Sequence, residues 1–168
     1  MKNLLIAVML AILAVFPAKG EDIVLTQQAA LDLCSFPNLT EGIIDMLYLS
    51  TDKFWHEGDY KKVFPVLKLI TTVKPSEVNA WALGGWFLIN AVAPPLPEKE
   101  KNKVIEYAIK FSKEGIKNNP ENSTLYMELA MHYFRTGDYE KALPLLENGE
   151  KYTHSFHLLH LKAHIYRR

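Results

Sequence analysis

Gly58-Asp59-Tyr60-Lys61-Lys62-Val63-Phe64-Pro65-Val66-Leu67 returns as Gly137-Asp138-Tyr139-Glu140-Lys141-Ala142-Leu143-Pro144-Leu145-Leu146. Six of the ten positions are identical, and three of the other four keep an apolar side chain. Seventy-nine residues separate the two glycines, and forty-five separate Pro75 from Pro120, each proline closing a helical stretch. A period of about 34 residues, the length of a helix–turn–helix unit, accounts for both distances if one insertion of about eleven residues lies between.

Working outward from the two copies, apolar residues recur at helical spacing and no segment alternates with period two long enough for a strand. Thr40 is placed to cap a helix reaching His56, with Ile43, Ile44, Leu47, Tyr48 and Phe54 on its apolar side. Gly58 ends it, and Asp59 caps a second helix to about Val73. A third opens near Ser76 and carries Trp81, Leu83, Trp86, Phe87 and Ile89. Ala93-Pro94-Pro95-Leu96-Pro97 breaks the helical pattern. The charged run from Glu98 restarts it and reaches Lys117, and most of the inserted residues belong to this join. Ser123 to Arg135, Asp138 to about Tyr152, and Phe156 to Tyr166 complete the series. Pro65 and Pro144 hold equivalent places, six residues after the capping Asp, where each removes a backbone hydrogen bond and is expected to kink its helix. The chain reads as all-α.

The repeat resembles the tetratricopeptide repeat (TPR) family. That pattern has a large residue at position 4, small residues at 7 and 8, an aromatic at 11, Gly-x-Tyr at 15 to 17, Ala at 20 and Pro at 32. The unit starting at Ser123 matches through Tyr126, Ala130, Tyr133, Gly137, Tyr139 and Ala142, with His154 in place of the proline. The unit starting at Ile44 matches through Phe54, Gly58, Tyr60 and Pro75, with Thr51 and Val63 where small residues are expected. The middle unit, from Val78, has Trp81 and Gly84-Gly85, then the insertion, then Ala108 and Pro120. The resemblance implies a right-handed α-solenoid of helix–turn–helix units spanning about 44–77, 78–122 and 123–156. Residues 157–168 would form a C-terminal capping helix, and the ambiguous stretch 22–36 a leading one. Stacking is what such units need, because one hairpin cannot bury its apolar stripe alone.

The resemblance also implies a groove lined by the first helix of each unit, binding a protein or peptide partner. Carried over, the lining is Asp45, Tyr48, Asp52, Trp55 and His56; Asn79, Ala82, Trp86, Ile89 and Asn90; and Thr124, Met127, Met131, Phe134 and Arg135. Trp and Met side chains suit a mixed, partly apolar peptide. The basic clamp by which some members hold a terminal carboxylate is not carried over, because Arg135 is the single cation among these positions.

The 168 residues are 49% hydrophobic and 11% aromatic, enough buriable surface for a folded domain. Lys+Arg and Asp+Glu are 19 each, which gives no basic footprint for nucleic acid. Lys2, the uncharged run Leu4–Phe16 and small residues at Ala18 and Gly20 form a secretory signal over residues 1–20. Cleavage at Gly20/Glu21 would leave an exported (periplasmic or secreted) single domain over 21–168 with no stable membrane insertion. Left uncleaved, the run would anchor the N-terminus in a membrane.

No phosphate-binding Gly loop, nucleophile elbow or paired-carboxylate signature is present, so no catalytic residue and no cofactor are assigned. His157, His160 and His164 fall on one helical stripe, and i,i+4 imidazoles can chelate a divalent metal. A metal or cofactor carrier using these histidines is therefore the alternative to an adaptor. Exposed histidines on a capping helix are the plainer reading, and an enzyme would announce itself by polar side chains converging in one pocket. Cys34 reads as a small buried residue or, lacking an internal mate, a reactive thiol. Asn38-Leu39-Thr40 and Asn122-Ser123-Thr124 match the glycan acceptor pattern.

Overall fold

The structure, a computed structural model, describes residues 39–167. The expected leader, the stretch 22–36, Cys34 and Asn38 lie outside the described residues. Seven α-helices follow one another, with no strand among the described residues: α1 Thr40–His56, α2 Tyr60–Val73, α3 Val78–Phe87, α4 Glu98–Asn118, α5 Ser123–Arg135, α6 Tyr139–Glu150 and α7 Phe156–Tyr166. A π-helical turn over Leu88–Val92 extends α3, closed by the Ala93 N–H donating to the Leu88 carbonyl at 2.9 Å.

The repeated phrase folds the same way twice. Gly58 and Gly137 hold φ of 74° and 78°, a conformation an L side chain adopts only with strain. In each turn the glycine N–H donates to the carbonyl three residues back, Trp55 or Phe134. The following Asp N–H reaches five residues back, to Phe54 or Tyr133, at 2.9 Å in both. This pair of bonds is the Schellman arrangement, and it satisfies carbonyls that the helix end would leave orphaned. Asp59 and Asp138 then occupy the N-cap positions of α2 and α6, paired with Lys62 and Lys141. Those two lysines lie over the Phe54 and Tyr133 rings at 5.2 and 5.7 Å. Helices α2 and α6 run unbroken through Pro65 and Pro144.

Two helix starts differ from expectation. Leu39 takes the cap position of α1, so Thr40 is its first helical residue. Helix α3 begins at Val78 rather than near Ser76, because the Glu77 N–H closes a turn onto the Lys74 carbonyl at 2.9 Å and keeps Ser76 in that turn. Asn122 caps α5, which starts at Ser123 as expected, and accepts from the Thr124 N–H at 3.1 Å. The second acceptor-pattern asparagine thus has its side-chain oxygen committed to a helix end.

Hairpins α1–α2, α3–α4 and α5–α6 pack in succession, and α7 closes the last against α5 and α6. One core fills the first hairpin and its contact with α3 (Ile44, Leu47, Phe54, Val63, Leu67, Ile70, Ala80, Phe87), and another joins α5, α6 and α7 (Leu129, Tyr133, Leu146, Leu158, Leu161). Thr51 and Val63, standing where the family has small residues, are buried, and the Thr51 hydroxyl donates to the Leu47 carbonyl. Trp81, Phe111 and Leu125 bridge the two cores, with Phe64 against them. Trp81 and Phe111 meet at 4.6 Å between centroids, with their planes tilted by 44°. The Trp81 indole N–H donates to the Pro75 carbonyl, which also accepts from Asn119. This approach requires glycine on both helices. A Cβ at Gly84 would lie 2.7 Å from Phe111 Cε1, and one at Gly115 would lie 2.9 Å from Trp81 Cβ.

Gly84→Ala should therefore cost about 1–3 kcal/mol by overpacking, despite alanine's better helix propensity. Gly42, in the first turns of α1 with nothing within 4 Å of an added Cβ, is the control. Gly42→Ala should be neutral or stabilise by up to about 1 kcal/mol. Urea unfolding followed by helicity checks both.

Candidate functional site

The face formed by α1, α3 and α5 carries two adjoining clefts with Trp86 as their common wall. The first, of about 320 Å³, is lined by Tyr48, Asp52, Trp55, Leu83, Trp86 and Phe87. Trp55 and Trp86 are each 39% exposed, with ring centroids 6.3 Å apart. Trp55 is held from behind by Tyr60 and Phe87 at 5.3 and 5.9 Å, so its ring is supported and still partly open to solvent. The same buttress recurs in the third unit, where Phe134 meets Tyr139 at 5.7 Å. The Tyr48 hydroxyl donates to Glu77 at 3.2 Å; burial, with the Glu77 charge beside it, pushes the phenol well above its ordinary value.

The second cleft, of about 180 Å³, lies between α3 and α5 with Ser112 of α4 in its wall. Gly85 and Ala82 leave room opposite Glu128, His132 and Arg135. The Arg135 guanidinium donates to Asn90 Oδ1 at 2.9 Å, and the Asn90 amide donates to the Trp86 carbonyl at 2.8 Å. A polar chain thus joins the third unit to the second. His132 is only 7% exposed; burial, then the Arg135 charge, lowers its affinity for a proton and keeps the imidazole neutral at pH 7. Burial raises the Glu128 carboxyl above the ordinary carboxylate range, opposed by Arg135.

Of the residues expected to line the groove, Tyr48, Asp52, Trp55 and Trp86 meet in the first cleft, and Trp86, Asn90, Met131 and Arg135 in the second. His56 is exposed beside them and paired with Asp52 at 3.4 Å. Asn79 is exposed and Met127 half-buried, and neither lines these clefts. Glu128 and His132 were not among the expected residues. Their signal is an i,i+4 pair on the α5 face next to the groove stripe, opposite the Gly84-Gly85 step. Polar groups do converge here, yet among the described residues no hydrogen bond joins Ser112, His132 and Glu128 into a nucleophile–base relay.

The C-terminal histidines separate. His160 and His164 approach at 2.9 Å between Nε2 atoms, whereas His157 turns its ring against Phe156. No three His, Cys, Asp or Glu side chains come together to hold a metal among the described residues, and none of their helices is long and apolar enough to cross a membrane.

No family model and no curated protein sequence matches the chain. The crystal structure of a thermophilic TPR protein from Thermus thermophilus is similar over 84% of this chain and 73% of that one, with a TM-score of 0.62 and 17% identity. The fold is TPR-like. At that identity the likeness is one of architecture, an all-α helical-repeat solenoid.

Because folded Glu128 keeps its proton to higher pH than the unfolded chain does, the folded state binds more protons just above the ordinary carboxylate range. Stability from this group therefore falls as pH rises through its folded value. Glu128→Gln should accordingly stabilise the chain at pH 7, and the gain should vanish toward about pH 3, where folded and unfolded carboxyls are both protonated. Urea midpoints at the two pH values check the sign, and a variant no more stable than the parent at pH 7 would show that the carboxylate is fully solvated.

Proposed function

We propose that this chain is an exported, non-catalytic adaptor that holds an extended peptide segment of a protein partner along the face of α1, α3 and α5. The observation that carries the reading is the pair of supported, partly exposed indoles on successive hairpins, Trp55 and Trp86, walling an apolar cleft. Rigid aromatic surface of this kind anchors peptides at little cost in side-chain entropy. The residues offered to the partner are Tyr48, Asp52, Trp55, His56, Asn79, Trp86, Asn90, Met127, Met131 and Arg135. Export rests on the secretory pattern of residues 1–20, with cleavage near Gly20/Glu21 releasing one domain over 21–168.

A metal or cofactor carrier is the second reading, favoured by the approach of His160 to His164. Two imidazoles fall short of the four-ligand shell of a structural zinc site. Calorimetric titration with zinc is expected to show no stoichiometric site; saturation at one equivalent, lost in His164→Ala, would favour the carrier instead.

For the adaptor, phage-displayed peptides selected on the purified chain should bind through the indoles. The double variant Trp55→Ala/Trp86→Ala should weaken a selected peptide by more than about 100-fold, roughly 2.7 kcal/mol, with helicity retained. Undiminished affinity in that variant would place the peptide elsewhere.

A further inference from the structure

The smaller cleft is built for something the larger one is not. Glu128 makes no hydrogen bond or ion pair among the described residues, although it is half-buried. His132, more than nine-tenths buried, lines the same space and its ring has no hydrogen-bond partner among them. The neighbouring cation, Arg135, is engaged with Asn90. An anionic acceptor, a neutral imidazole and the Ser112 hydroxyl thus lack a hydrogen-bond partner among the described residues and are accessible to an occupant, in front of the Trp86 indole and the Met131 thioether.

The carboxylate can only accept, and the hydroxyl and neutral imidazole can accept as well, so a cationic donor with an apolar stem matches this set. An ammonium on an alkyl chain has three donors and no acceptor. Its stem suits Trp86, Met131 and Ile89, and its charge suits both the carboxylate and an aromatic face. A carboxylate ligand would instead bring like charge to Glu128. At about 180 Å³ the space is below the ~300 Å³ at which pockets begin to hold a whole small ligand, which limits it to a single side chain.

We propose that the cleft between α3 and α5 receives a lysine side chain of the bound peptide, its ammonium on Glu128 and its stem on Trp86. This deepens the adaptor reading and rests on it for the source of the lysine. The peptide then carries an apolar residue for the Trp55–Trp86 cleft and a lysine for the adjoining one.

The test uses three capped single residues as probes: N-acetyl-lysine, N-acetyl-norleucine and N-acetyl-glutamate methylamides. Binding is read from the His132 imidazole signals in NMR spectra, assigned through His132→Gln. The lysine probe should shift them saturably at about millimolar concentration, with norleucine about tenfold weaker and glutamate without effect. Glu128→Gln should abolish the preference for lysine over norleucine while the other imidazole signals stay in place. Arg135→Gln, removing the nearby like charge, should tighten lysine. The proposal is overturned if norleucine or glutamate matches lysine, if no probe moves His132, or if Glu128→Gln keeps the lysine preference. If lysine fails while peptide binding through Trp55 and Trp86 persists, the lysine assignment falls and the adaptor reading stands.

Discussion

Two helices that must nearly touch govern this molecule. Trp81 of α3 lies on Gly115 of α4, and Phe111 of α4 lies on Gly84 of α3, each aromatic occupying the space the opposing glycine leaves. Phe64 from the first hairpin and Leu125 from the third close on the same pair, so the middle unit transmits packing in both directions. In a solenoid each unit is stabilised mainly by its neighbours. The middle unit is therefore where the two outer cores become one structure. It also carries the insertion, most of which lengthens α4, at 21 residues against 14 in α2 and 12 in α6.

The same smallness that permits the crossing leaves the polar cleft. Gly85 leaves the place of its absent Cβ to the Ser112 hydroxyl, 2.5 Å away, and Gly85, Ala82, Glu128 and His132 line the cleft together. A charge that burial disfavours and no protein donor satisfies works against the fold at neutral pH. Sites kept at the expense of stability are where function concentrates, because packing alone would have selected an apolar residue. The apolar cleft beside it is the contrasting case. Trp55 is braced by Tyr60 and Phe87, and that brace is repeated by Phe134 and Tyr139, so the exposed indole is part of the repeat's own scaffolding.

Much of this was legible beforehand for local reasons. The Gly-Asp-Tyr phrase marks a helix end because a positive φ favours glycine, and both copies obey. Helices α5 and α7 fall on their expected bounds, where Asn122 and Ser155 supply side-chain caps. The start of α3 was misplaced because a turn hydrogen bond from Glu77, invisible to periodicity, competes with the helix. Trp55, Trp86, Asn90 and Arg135 came from the groove positions that the family resemblance implies, and they lie in the walls of the two clefts. Glu128 and His132 did not, because their environment is set by residues on other helices: Gly85, across the α3–α5 contact, and Ser112, beyond the insertion. Stripe arithmetic on one helix cannot report a gap in the helix opposite. Helical spacing brings His160 and His164 together, and Phe156, which the stripe does not include, lies against the rings of both His157 and His160.

The π-helical turn after α3 gives the groove an unusual genetic sensitivity. A π turn holds one more residue than an α turn, and Asn90 sits inside it with its amide on the Trp86 carbonyl and its oxygen on Arg135. Because the wider turn accommodates the extra residue, loss of a single codon between Leu88 and Val92 would return the segment to ordinary α geometry while the residues on either side keep their facing. Trp81, Gly84 and Gly85 lie upstream and would keep their packing. A lineage could thus lose or regain the Asn90 link to Arg135 in a single deletion or insertion while inheriting the same core.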